Sequence, residues 1–382
     1  MYSTKAMQSY LEASQEELKQ LIRDMCAIPA PSHHEEARAA FCKKWFEEAG
    51  GEGVYIDEAL NVICPVGITA DNDVAVFMAH TDTVFPDTEP MPFKETETKM
   101  YCPGVVDDTG NLATMMICAR YFLQNKIPGK MGVVFVANSC EEGLGNLKGS
   151  RAICDAFGDR IKMFMSFDGG SLARVVTSAV GSHRYRVIVR TEGGHSFSAF
   201  GNRNAIEYLA SMIETLYSMK VPKKEGTRTT YNVGLISGGT SVNTIAQSAE
   251  MLYEYRSDDR ECLATMKNMF EKVIEAYRAM GVGVEVELLG DRPCCGDVDP
   301  EAYGKLIDDC DAAIREIIGA EPVHGPSSTD ANIPLSRGIP GVVLSGCSGR
   351  FCHTREEELD VDLLPAALKL AMENIARYFC AE

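Results

Sequence analysis

Four short apolar runs decide which folds are open to this chain. Residues 74–79, 132–137, 161–167 and 341–344 are largely apolar, without the alternation of a half-exposed strand. Such runs are what strands buried on both faces look like. Between and around them lie amphipathic stretches with helical spacing. The spacing predicts helices over 7–28, ending before Pro29 and Pro31, and over 35–49, stopped by Gly50 and Gly51. Two more are predicted over 111–124 and over 365–379, the last with Pro365 in its first turn. Strands alternating with helices give an α/β fold, a mostly parallel sheet covered on both faces.

The middle of the chain has another pattern. Residues 183–191 alternate in polarity, 204–219 read as a helix, 230–236 and 250–256 as two strands, 259–280 as a long helix and 282–289 as a last strand. The order β-α-β-β-α-β is the ferredoxin-like arrangement, which forms a compact unit by itself. An inserted domain is therefore expected over 181–292. The main domain is then discontinuous, built from 1–180 and 293–382.

Composition excludes several classes. The net charge is −18, which argues against nucleic acid or an anionic membrane as partner. No run reaches the ~18 apolar residues of a membrane helix, and the first residues lack the apolar core of a signal peptide. The 14 cysteines, several inside apolar runs, then read as reduced thiols in a cytoplasmic protein. Cys294 and Cys295 are adjacent and no CxxC pair occurs, so a thiolate zinc site is not expected.

The chemistry lies just beyond the buried runs. His80-Thr-Asp82 comes directly after the first, Glu141-Glu142 shortly after the second, Asp168-Gly-Gly directly after the third, and a glycine-rich loop holding His353 after the fourth. Asp107-Asp108 opens the helix that starts near Asn111. In open α/β sheets ligands bind beyond the carboxyl ends of the strands, so these segments would deliver two imidazoles and several carboxylates to one place. That much negative charge is unfavourable without cations. Imidazole with carboxylate suits Zn²⁺, Co²⁺ or Mn²⁺ better than Ca²⁺ or Mg²⁺.

The segments His80-Thr-Asp-Thr-Val-Phe-Pro86, Gly104-Val-Val-Asp-Asp-Thr-Gly110, Glu141-Glu-Gly-Leu-Gly145, Asp168-Gly-Gly170 and the distal His353 resemble those of the M20 metallopeptidases. The likeness is greatest to the peptidase T-like tripeptidases and dipeptidases, and it runs through nearly the whole chain. It implies a zinc-peptidase-like catalytic domain carrying a ferredoxin-like lid, and two divalent ions, Zn²⁺ with Co²⁺ or Mn²⁺ as alternatives. Asp107 would bridge the ions, with Asp108 the neighbouring candidate. Glu142 and His353 would complete one ion and His80 and Asp168 the other. Glu141 would be the general base, and Asp82 would orient His80. The inserted domain would serve in dimerisation, with His195 reaching a neighbouring subunit's active site as an oxyanion donor. Asn243 and Arg256 match the substrate-binding positions. A surface ion pair of Arg256 with Asp258 or Asp259 is the alternative. Thr109 departs from the pattern, since many members have Lys there.

The function expected is hydrolysis of an amide bond in a di- or tripeptide with a free N-terminus. Deacylation of an N-acyl amino acid uses the same ions and base and differs in pocket shape. A third possibility, from another class, is an inactive binding protein that kept the fold.

Overall fold

The computed structural model describes residues 2–380, and in it the chain divides into two compact units. One comprises the residues up to Ala179 together with those from Gly296 onward, and the other runs from Val180 to Cys295.

The larger unit is built on an eight-stranded sheet. Its order is Tyr55–Ile56, Val62–Val66, Gly132–Asn138, Val74–His80, Ile161–Phe167, Gly341–Leu344, Arg174–Ala179 and Val323–Ser327. The four central strands are those expected from the apolar runs, and all are mutually parallel. Antiparallel pairs appear only to either side of them. Every residue of Val74–His80 and Gly132–Asn138 is buried, because helices cover both faces of a parallel sheet. Helix Asn111–Gln124 lies against the sheet and buries Leu112, Met115, Met116 and Ala119. Phe77 stacks on Phe135, and Phe379, just beyond helix Leu364–Ala376, stacks on Phe122 and Phe135. Each fully buried ring contributes about 1.5–3 kcal/mol.

The first helix differs from expectation. Two helices, Lys5–Ala13 and Gln15–Cys26, meet at Ser14 where one was predicted. The Ser14 hydroxyl donates to the Tyr10 carbonyl at 2.8 Å, the kind of back-bonding that bends a helix.

A small four-stranded antiparallel sheet adds Gly349–Arg350, Glu358–Asp360, Lys99–Tyr101 and Lys94–Glu95, in that order. It sets the segment after His353 beside the segment before Asp107.

The second unit is a four-stranded antiparallel sheet ordered Thr229–Gly238, Ser248–Ser257, Gly181–Arg190, Gly283–Arg292. Helices Ala205–Ser218 and Arg260–Ala279 pack on one face over Tyr185, Val187, Tyr253 and Tyr255. The connectivity is β-α-β-β-α-β. Among the described residues, no helix is long and apolar enough to cross a membrane.

Candidate metal centre

The carboxyl ends of the four central strands supply most of the cluster. His80 is the last residue of its strand, and Asp168 comes directly after Phe167. The Asp168 N–H donates to Leu344 O at 2.8 Å, which ties two strand ends together. Asp107 comes from the irregular turn Val105–Gly110, where it leaves helical geometry and where its peptide bond to Asp108 is cis. Gly104 enters this turn at φ +77°, and a Cβ there would lie 2.6 Å from Thr83 Cγ2. Only glycine meets both demands.

Asp107 lies between the two imidazoles. Its Oδ1 is 3.0 Å from His80 Nε2 and its Oδ2 is 3.0 Å from His353 Nε2. Around it two groups of donor atoms converge to within 4.8 Å of one another: His80, Asp107, Asp108 and Asp168, and Asp107, Glu142 and His353. Asp107 belongs to both. A third group joins His80, Glu141 and Glu142.

Tautomer and orientation are fixed from behind. His80 Nδ1 donates to the Asp82 carbonyl at 3.0 Å, which leaves Nε2, 3.0 Å from Asp107 Oδ1, as the nitrogen turned to the cluster. Asp82 is fully buried. Its Oδ1 and Oδ2 accept the N–H groups of Glu141 and Glu142, each at 3.0 Å, and Oδ2 also takes the Ser32 hydroxyl at 2.6 Å. Asp82 therefore holds the imidazole through its backbone carbonyl and the Glu-Glu turn through its carboxylate. Burial works against its charge, but hydrogen bonds from His80, Ser32 and the Glu142 backbone hold its pKa below the ordinary value. Asp108 Oδ2 accepts the His80 backbone N–H at 2.7 Å.

The charge balance fits a pair of cations. Burial pushes Asp108 and Asp168 well above the carboxylate range and Glu142 up to about 7. Burial opposes the charge of His80, yet Asp108, Asp107 and Asp82 hold it well above its usual pKa. Asp107 and Glu142 push His353 up to about 11. Protons are thus drawn to positions where a cation would satisfy the same oxygens. Asp108 Oδ1 is buried and has no hydrogen-bond donor. Glu142 Oε1 lies 3.1 Å from His353 Nε2 yet is not aligned for a hydrogen bond with it. Orphaned buried carboxylate oxygens beside two imidazole nitrogens suit divalent ions with N and O ligands.

The remaining candidates lie in the second unit. His195, on the two-residue strand Gly194–His195, is exposed, and its Nδ1 accepts the N–H groups of Phe197 and Ser198 at 3.2 and 3.4 Å. A neutral ring then carries its proton on Nε2, the outward nitrogen. Asn243 is its neighbour across the pairing with Thr244–Ile245, and the Asn243 carbonyl accepts the Ser196 N–H at 2.9 Å. Arg256 pairs with Glu254, Nε to Oε1 at 3.0 Å and Nη2 to Oε2 at 3.1 Å. The alternative surface pairing with Asp258 or Asp259 is not formed; those residues engage Arg228 N and Lys224.

Several residues around the centre were not apparent from sequence. Glu357 is fully buried and accepts three backbone N–H groups of the Asp107 turn. Glu35 accepts the Cys140 N–H at 2.9 Å. The guanidinium of Arg38 donates to the carbonyls of Thr81, Met25 and Ile28 and, at 3.4 Å, to the Thr109 hydroxyl. In sequence Glu357 sits in the charged run Arg355–Glu358, which reads as a solvated loop; its spacing from His353 is the one local clue.

The model of peptidase family M20/M25/M40 matches residues 76–377. The chain belongs to that family. As an M20 protein it is a hydrolase, and it resembles solved members over almost its whole length. Aminopeptidase PepT from Bacillus cereus superposes with a TM-score of 0.70 at 24% identity, covering 95% of this chain and 99% of that one. A tripeptidase from Staphylococcus aureus gives 0.73 at 22%, with the same coverage. In sequence, the succinyl-diaminopimelate desuccinylase of Shewanella pealeana is 22% identical over 381 residues, covering 93% of this chain and 96% of its own.

Proposed function

We propose that this M20 hydrolase cleaves an amide bond in small peptides, di- or tripeptides with a free N-terminus, using two divalent ions. The observation that carries the reading is Asp107, with one oxygen directed at each of two imidazoles. His80, Asp107 and Asp168 would hold one ion, and Asp107, Glu142 and His353 the other, with Zn²⁺ favoured by the donor set and Co²⁺ or Mn²⁺ as alternatives. Ions held there would lower the pKa of a water towards neutrality and polarise the scissile carbonyl.

The chain's own residues do the rest. Glu141 stands beside the ligand Glu142, its backbone anchored by Asp82. It takes the proton of the attacking water and returns it to the leaving amine. His195, with the proton on Nε2, donates to the oxyanion formed in the active site of a neighbouring subunit. Arg256, steadied by Glu254, takes the substrate's carboxylate, and Asn243 binds beside His195.

The likeness to an aminopeptidase and a tripeptidase supports a peptide substrate. The desuccinylase relative favours a second reading, an N-acyl amino acid deacylase with the same ions and base. Turnover of a panel of di- and tripeptides, their C-terminal amides and N-acyl amino acids, with and without a chelator, separates the two. Peptides are expected to be cut, their amides to lose rate, and the chelator to stop the reaction. Glu141→Ala should abolish turnover with both ions retained. Wild-type-like activity in that variant would refute the assignment of the base.

Homodimerisation through the inserted unit belongs to the same reading. Thr229–Gly238 is an edge strand with neither charge nor proline, and Leu235 and Ile236 are exposed on it. Such an edge is a template for pairing with a second chain.

A further inference from the structure

We infer that Glu357 is a positioning residue for both ligand loops of the metal centre, holding Asp107 where it can serve two ions. The inference rests on the two-ion reading and adds a residue to it. The Glu357 carboxylate is fully buried. Its Oε2 accepts the Gly104 N–H at 2.7 Å, and its Oε1 accepts the N–H groups of Val106 and Asp107 at 2.8 and 2.9 Å. Three donors from four consecutive residues converge on one anion, a concave nest of backbone dipoles. The left-handed Gly104 gives the turn the curvature this needs.

Glu357 stands four residues after His353 and directly before strand Glu358–Asp360, whose Glu358 is in register with Tyr101. Lys99 clamps this register by ion pairs to Glu358 at 2.9 Å and Asp360 at 2.5 Å. The segment that carries His353 and the segment that carries Asp107 therefore run side by side, with Glu357 joining them. Across these two segments His353 Nε2 lies 3.0 Å from Asp107 Oδ2. No other described side chain accepts the Asp107 N–H.

An ionised carboxylate has acceptors enough for all three donors, whereas an amide of the same shape has one oxygen and turns an NH₂ group on the remaining N–H. Glu357→Gln therefore keeps the volume and loosens the turn. The test compares wild type and Glu357→Gln as full-length apo protein titrated with Co²⁺ in competition with a chelator. The visible spectrum and the magnetic coupling between the two Co²⁺ ions are recorded well below the melting temperature. The variant is expected to bind the pair about 10–100-fold more weakly, the usual cost of losing a partner that orients a ligand. Its Co²⁺ spectrum should change and the coupling diminish. A residue that only stabilises the fold would lower the melting temperature and leave affinity and spectrum as in wild type, and that result overturns the inference. If wild type itself binds no pair of ions, the two-ion reading fails first. Should Glu357→Gln not fold, hydrogen exchange of the wild-type apo protein decides: slow exchange at 104–107 is expected, and fast exchange there overturns the inference.

Discussion

A carboxylate between two imidazoles acquires meaning from the charges around it. Asp107 shares its surroundings with Asp108, Asp168, Glu141 and Glu142, against His80 and His353. Burial, reinforced by neighbouring carboxylates, drives Asp168 and Asp108 towards the neutral form, while the same carboxylates drive both imidazoles towards the charged one. Two cations relieve both pressures, which is the physical reason to read the cluster as a metal centre. On the oxyanion side, His195→Ala is expected to lower kcat by ~10²-fold or more, as for loss of one preorganised donor. Steady-state kinetics on the best peptide of the panel checks it, and an unchanged kcat would return His195 to the surface. The residues of the cluster were legible in sequence because each lies at or just beyond a buried run or opens a helix. Glu357, Glu35 and Arg38 were not. Their partners are backbone groups distant in sequence, and a carboxylate that receives N–H groups carries no local pattern to mark it.

At the scale of elements, the four central strands were legible because they are almost wholly apolar, with Lys162 and Ser166 the exceptions before their final residues. Val62–Val66 and Val323–Ser327 were not, since Pro65 and Pro326 read as breakers. Both pair with the sheet all the same. Arg174–Ala179 was hidden by its mixed polarity. In the inserted unit Thr229–Gly238 is an edge strand with no strand partner on its outer side among the described residues, and it carries exposed Leu235 and Ile236. A lysine at such an edge opposes pairing. Ile236→Lys is therefore expected to shift the protein from dimer to monomer in light scattering coupled to gel filtration. A wild-type protein that is already monomeric would contradict the proposed dimerisation.

For the molecule as a whole, the α/β architecture puts four parallel strand ends at one rim of the larger unit, and the second unit carries His195, Asn243 and Arg256 on its own strands and loops. The parallel core reflects hydrophobic patterning, whereas substrate choice depends on pocket shape that patterning does not encode. The central claim concerns the rim. Crystals grown with Zn²⁺ or Mn²⁺ and measured at the metal's absorption edge would locate the ions directly. Two anomalous peaks about 3.5–4 Å apart are predicted, one beside His80 and Asp168, the other beside Glu142 and His353, with Asp107 touching both. A single peak, or two peaks that Asp107 does not join, would contradict the two-ion centre.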